Sequence, residues 1–420
     1  MKRKHHSWKI RAAIAAFMLP MVFWVPSASA ESLGVNEFPT VRDRFDGMGT
    51  HVGSFWVLPS VETGIVYDSN VFALPNSPID DTFFYVRPTL EAKSDFSRHA
   101  VDFTAALEHL EYFDRSTESI TNGWGKLDGR VDIQRDFQFL GGISGGLFHE
   151  ERGDINSPVF ATKPIEYGKA GIRGEFKKSF NRLMVSVGGS AERYDFSNAV
   201  SALTGMTIDQ QFRDRNVYSV GGRLGYQSAP GYTLFGDVRF TTEDYDTKGI
   251  YSSDRINGQG GVAFDITNLI TGEVSAGYNY VNYDNPEFKS QGSPSYNIAL
   301  IWNPTPLMTL TLDGGQRFAE STLVEDGAPI SGSNQSSIKA TLDYEVTRRL
   351  IVSPMVGFIY DDFNQSSWSD KTINAGLRMD FEVNRYMDVG MNYLYSDANF
   401  SGNLRDYNRH RVGLFAKARF

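Results

Sequence analysis

The sequence predicts an all-β fold, a transmembrane antiparallel β-barrel of the outer-membrane type with about 18 strands and about 16 as the fallback count. Three observations carry this expectation: an export leader at the N-terminus, apolar residues that recur with a period of two, and connections that alternate between short and long.

The leader comes first in the chain. "MKRKHHSWKIR" precedes the apolar stretch "AAIAAFMLPMVFWV" and then "PSASA", the basic, apolar and small-residue regions of a secretory signal peptide, with cleavage expected between Ala30 and Glu31. The short apolar span and the small residues at the cut favour removal over an uncleaved anchor. Residues 1–30 are therefore the signal peptide and the remaining chain is exported. Of 41 Lys and Arg, five fall in the leader (Lys2, Arg3, Lys4, Lys9 and Arg11), while all 50 Asp and Glu lie beyond it. The exported chain thus carries 36 basic against 50 acidic residues, a net charge of −14. That balance excludes sequence-independent nucleic-acid binding, which needs Lys and Arg to neutralise phosphates. Cysteine is absent, so no disulfide, thiolate nucleophile or Cys-ligated metal is available.

Past the leader no apolar run approaches the roughly 20 residues of a membrane helix. A chain that spans a bilayer without helices must close into a barrel, because open edges leave backbone groups unsatisfied in hydrocarbon. In "KLDGRVDIQ", Leu127, Val131 and Ile133 alternate with Lys126, Asp128, Arg130 and Asp132. "YTLFGDVRF" sets Tyr232, Leu234, Val238 and Phe240 against Asp237 and Arg239. "IKATLDYEVT" sets Ile338, Leu342, Tyr344 and Val346 against Lys339, Asp343 and Glu345, and "TINAGLRMDFEV" sets Ile373, Leu377, Met379 and Phe381 against Arg378, Asp380 and Glu382. Alternation of this length marks strands with one apolar and one polar face.

The breaks discriminate a barrel from a soluble sandwich. Short ones at 96–99, 179–182, 228–231, 303–306, 346–349 and 384–386 take turns with long polar ones at 150–166, 198–215, 319–335 and 396–408. Short turns at one rim and long loops at the other are the outer-membrane pattern. Counting from Phe55 to Phe420 gives about 18 strands, with the two inside 138–180 blurred by glycine. Residues 31–53 form a periplasmic lead-in able to enter the pore, and 54–420 form the barrel. Five upward strands end in Tyr-Asp or Tyr-Ser-Asp, at Tyr67, Tyr194, Tyr283, Tyr360 and Tyr395, which reads as one aromatic girdle.

The chain ends on "RVGLFAKARF", with Val412, Leu414, Ala416, Ala418 and Phe420 on one face. This resembles bacterial outer-membrane proteins as a class, whose last strand ends in an aromatic residue read by the barrel-assembly machinery; Phe420 takes that role, and Ala418 departs from the larger apolar residue frequent there. "VRDRFDGMGTHVGSFWVLPSVETGIVYDSNVFA" (41–73) is similar to the β-barrel porins of proteobacterial exopolysaccharide and capsule secretion clusters, in its Leu-Pro-Ser and its Tyr-Asp-x-Asn-Val-Phe. The resemblance implies an outer-membrane conduit for a secreted polysaccharide, working with a periplasmic polysaccharide export or co-polymerase partner.

Catalytic constellations are sparse. His51, His99, His109, His149 and His410 are dispersed, and "HEER" at 149–152 lacks the second His of a zinc-protease motif, so it reads as a loop start. His109 with Glu108 and Glu111 is the nearest approach to a barrel-wall hydrolase, and "EDYD" (243–246) the nearest to a cation loop. No enzyme activity, cofactor or metal is expected. What remains is the polar face: Lys126, Asp128, Arg130, Asp132, Asp237, Arg239, Lys339, Asp343, Glu345, Arg378, Asp380 and Glu382 would line a lumen of closely mixed charge. Such a wall suits passage of polysaccharide or of small hydrophilic solutes. A plugged structural or adhesion barrel and a wall hydrolase stay open as alternatives.

Overall fold

The computed structural model describes residues 49–420 apart from 159, 248, 267–268, 320, 322, 326 and 402–405. The signal peptide, its Ala30–Glu31 cut and lead-in residues 31–48 lie outside the described residues. The barrel strands, numbered in chain order, begin with β1 Phe55–Asp68, β2 Asp81–Ser94, β3 Ala100–Tyr112, β4 Ile120–Gln134, β5 Phe137–His149 and β6 Glu166–Phe180. They continue with β7 Leu183–Phe196, β8 Arg215–Ala229, β9 Tyr232–Tyr245, β10 Ser253–Ile266, β11 Ile270–Tyr283 and β12 Gln291–Thr305. The last are β13 Met308–Ala319, β14 Ser333–Thr347, β15 Leu350–Phe363, β16 Ser369–Asn384, β17 Met387–Asn399 and β18 Tyr407–Arg419. Every strand pairs antiparallel with its chain neighbour, and β18 returns to β1 from Ser60↔Arg419 to Asp68↔Arg411, closing the ring. Closure satisfies the backbone ladder all round, which a chain in hydrocarbon requires.

The period of two becomes two faces. Val220 and Leu224 on β8, Val238 and Phe240 on β9 and Leu414 on β18 stand outward and exposed, Leu414 to 68%. Their neighbours in sequence point inward, where Arg409, Arg411 and Phe415 of β18 are buried. A Val238→Arg variant should lose about 2–4 kcal/mol of stability in vesicles, measured by guanidinium unfolding. Arg239→Val, one residue on and facing inward, should change it by less than about 0.5 kcal/mol.

Each short turn spends few residues. Asn181 (φ 55°) and Gly231 (φ 77°) adopt the left-handed conformation such turns need. A Cβ on Gly231 would come within 2.5 Å of the Asp265 carbonyl oxygen, so glycine is required there on two counts. Register shifts at the ends of β4, β8, β12, β14 and β16 all fall beside these turns. At the same rim Thr50–Val52 folds back on Phe55–Val57, and the Phe420 amide donates to the Pro59 carbonyl at 3.1 Å. The described part of the lead-in thus continues the sheet alongside β1. Phe139 and Phe176 pack outward near this rim, ring centroids 4.9 Å apart.

The upper girdle differs from expectation. Tyr67, Tyr360 and Tyr395 share the outward parity of Ile65, Phe358 and Met391, whereas Tyr194 and Tyr283 share that of inward Ser190 and Ser275. Tyr194 donates to Glu192 at 3.0 Å beneath the Arg215 guanidinium, and Tyr283 packs edge-on to Phe288. A Tyr-Asp pair marks where a strand ends, but the face it occupies follows from parity along the strand.

Candidate functional site: the roofed lumen

All twelve charged residues singled out from the polar faces stand on the inward side of their strands, and the interior divides them into two kinds of wall. Around β16, β18 and β1–β3 the wall is packed and ion-paired. Arg378 donates from Nη2 to Glu62 at 3.0 Å and from Nε to Asp380 at 2.9 Å, with its guanidinium 3.9 Å from the centroid of Phe415. Arg87 joins Glu62 at 3.2 Å and also bonds Glu108, while the Tyr85 hydroxyl donates to Glu62 at 2.9 Å. Lys126 pairs with Asp128 and Arg130 with Asp132 on β4, Asp343 accepts from Ser353, and Glu382 lies 3.7 Å from Arg419. Lys339 sits opposite Asp313 across the β13–β14 register, and Glu345 is buried.

The other wall, β4–β9, is open. Its inward positions include Gly142, Ser144 and Gly146 on β5, Ser186, Gly188 and Ser190 on β7, and Ser219 and Gly221 on β8. Small side chains there leave width, and some of the charges among them meet water: Arg173 is 53% exposed where it donates to Asp128 at 2.8 Å, although Arg223 on the same wall is enclosed to 13%. Asp237 accepts from Arg223 at 3.1 Å, and Arg239 is exposed.

Three consecutive residues of the loop between β5 and β6 roof this interior. Glu150 accepts from Arg213 of loop 197–214 at 2.5 Å. Glu151 accepts from Arg411 of β18 at 3.1 Å, and Arg152 donates to Glu118 of loop 113–119 at 2.7 Å and to the Ala161 carbonyl at 2.7 Å. The segment read as a mere loop start is therefore the tether of a lid, fixed to three parts of the rim. Its foot rests on the Tyr-Asp-x-Asn-Val-Phe stretch. Asp68, fully buried, accepts from Arg409 at 2.8 Å and Arg411 at 3.1 Å. Asn70 donates to the Leu74 and Asn408 carbonyls at 2.9 and 3.1 Å, Val71 is buried, and Phe72 lies under Arg152. A run of polar residues at a strand end looks like a loop in sequence; only closure of β18 on β1 brings Asp68 to its arginines.

Enclosure by protein, and after it the neighbouring Glu150 and Glu151 carboxylates, push the Asp154 carboxyl at the lid up to about 7, against the pull of Arg213 and Arg317. Arg317 belongs to β13, eight strands from β5 in a ring of eighteen, so the lid reaches towards the far wall. The docked lid holds a proton that a free Asp releases near pH 4, so docking is fully favoured below that pH and weakens as pH rises to about 7. Conductance should accordingly be higher at about pH 8 than at about pH 5, and Asp154→Asn should remove the step.

The remaining candidates do not converge. His109 faces outward with Thr121 at 2.8 Å and Glu111 at 3.3 Å, whereas Glu108 points inward to Arg87, so the pleat separates the supposed hydrolase partners. Within 243–246, Glu243 pairs with Arg255 inside the barrel and Asp246 pairs with Arg193, so these carboxylates form no common cation site.

Among solved structures the chain is similar to a variant of the ferric enterobactin receptor PfeA of Pseudomonas aeruginosa, at 8% identity over 88% of this chain and 81% of that one, TM-score 0.46. It is also similar to OccAB4 of Acinetobacter baumannii, at 12% identity over 87% and 98%, TM-score 0.45. The outer membrane protein OpdK of Pseudomonas aeruginosa follows at 10% identity over 87% and 98%, TM-score 0.43. No curated protein matches the chain. A closed eighteen-strand ring with an apolar outside and a charged inside agrees with the family model described as "Putative beta-barrel porin 2", which matches residues 43–420, and the chain belongs to that family of porin-like outer-membrane barrels.

Proposed function

We propose that the barrel is a lidded conduit for hydrophilic material and that its cargo is a secreted exopolysaccharide. The observation that carries the conduit is the asymmetry of the interior: one wall tightly ion-paired, the other lined by Gly and Ser with water-accessible charges such as Arg173 and Arg239. A hydrated, hydroxyl-rich chain slides past closely mixed charges without a deep binding well, since each guanidinium already has a carboxylate neighbour on much of the wall. The likeness of residues 41–73 to secretion-cluster porins supports the cargo, and with it a periplasmic polysaccharide export or co-polymerase partner at the short-turn rim. Phe420, exposed at that rim, is proposed as the residue read by the barrel-assembly machinery.

A deletion strain tests the cargo: surface polysaccharide should fall to a small fraction of the parental amount and return on complementation. Undiminished secretion would remove the exopolysaccharide and leave a small-solute porin, which the same wall accommodates. The three-point tether of the lid favours a barrel that rests closed and opens on contact with its partner.

A further inference from the structure

We propose that a recess in the inner wall of β9–β14 binds an acidic saccharide unit, a reading that rests on the conduit above and names its substrate class. The recess, about 230 Å³, lies in the outer half of the lumen and is lined by Arg239, Arg255, Arg317, Gln259, Gln316 and Asn334 among others. Its origin is a break in the sheet. The β12–β13 ladder runs up only to Asn297↔Gly315, although β11–β12 continues to Val281↔Gln291 and β13–β14 to Ala319↔Ser333. The upper ends of β12 and β13 therefore separate, each held from its other side, and Ser293 reaches past to Asn334 at 3.0 Å.

Two features set this recess apart from the rest of the wall. Arg239 bonds Ser219 at 3.4 Å and Arg317 bonds Gln335 at 2.8 Å, and neither forms an ion pair among the described residues. Arg255 beside them pairs with Glu243, as the inward arginines Arg87, Arg223, Arg378, Arg409 and Arg411 elsewhere hold carboxylates. In addition Arg255 Nε and Gln316 Oε1 are buried with no hydrogen-bond partner among the described residues, a donor and an acceptor in one recess. Guanidiniums engaged in no ion pair suit a carboxylate, which they bind as a planar fork. Amides, offering a donor and an acceptor on one group, suit sugar hydroxyls, which are both as well. A small carboxylate would use the arginines and leave the amides idle; a neutral sugar would do the reverse. The two together call for a sugar that carries a carboxylate, the repeating unit of an acidic polysaccharide. Seated below the lid, such a site would be the last on the way out.

Calorimetry on the full chain in detergent tests this with three probes: hexagalacturonate, maltohexaose and citrate. The acidic hexamer should bind at least about tenfold more tightly than either of the others, and the pair Arg239→Gln and Arg317→Gln should remove that preference. Gln316→Ala, a lighter change, should weaken the hexamer without altering the heat-modifiable migration of the folded barrel. Equal binding of hexagalacturonate and maltohexaose, equal binding of citrate, no binding at all, or binding indifferent to these variants would each overturn the proposal. Because no membrane is used, a barrel that binds the hexamer yet conducts nothing would remove the conduit and leave the site.

Discussion

Replacement of residues 150–164 by a short glycine-serine linker is expected to raise single-channel conductance several-fold and to abolish its pH step. The lid contributes Glu150, Glu151 and Arg152 to three different partners, and Asp154 beyond them reaches towards Arg317. Removing it leaves Asp68 to hold Arg409 and Arg411, so the wall beneath should stand. Single changes should do less. Glu151→Gln weakens the contact with β18 but leaves Glu150–Arg213 and Arg152–Glu118, so closing and reopening should speed up while the closed state persists. If the linker variant folds and its conductance equals that of the wild type, the loop is not the gate. A pH step in the wild-type conductance that the linker variant lacks would also set aside the permanently plugged barrel.

Asp68→Ala should be the most damaging point substitution in the molecule. Asp68 is 0% exposed and is the carboxylate on which two guanidiniums of the closing strand converge. Its loss leaves Arg409 and Arg411 sharing Glu151, and stripping one partner from a buried ion-paired cluster costs about 3–5 kcal/mol. The temperature at which the folded, fast-migrating band converts to the unfolded one should fall clearly, and the seam between β1 and β18 should become protease-sensitive first. Asp68→Asn keeps the shape and some hydrogen bonds, so it should fall between. A melting temperature within a degree or two of wild type would mean that the backbone ladder alone closes the ring.

Parity makes a barrel readable. Where a strand such as Tyr232–Tyr245 alternates cleanly, one apolar residue such as Val238 fixes its face, and Asp237 and Arg239 follow with it. The pair in 138–180 is blurred in sequence because inward glycines such as Gly142 and Gly146 and outward ones such as Gly145 erase the contrast between faces. Strand ends carry less. Tyr67 and Tyr194 precede identical Asp residues yet face opposite ways, because nothing in the dipeptide records the count of residues below it. The lid was not legible, since Glu151 and Arg411 are 260 positions apart and meet only after the ring closes. Nor was the recess, for a ladder that stops at Asn297 leaves no mark in a sequence that still alternates on both sides.

The absence of cysteine makes the decisive measurement simple. Single cysteines placed in turn at positions 237 to 241 of β9, in protein reconstituted into vesicles, can be exposed to a charged thiol reagent that does not enter hydrocarbon. Positions 237, 239 and 241 should react rapidly, and positions 238 and 240 should stay protected until the vesicles are dissolved. Equal reactivity at all five, or protection of 237, 239 and 241 with reaction at the two between, would contradict a wall with hydrocarbon on one side and water on the other.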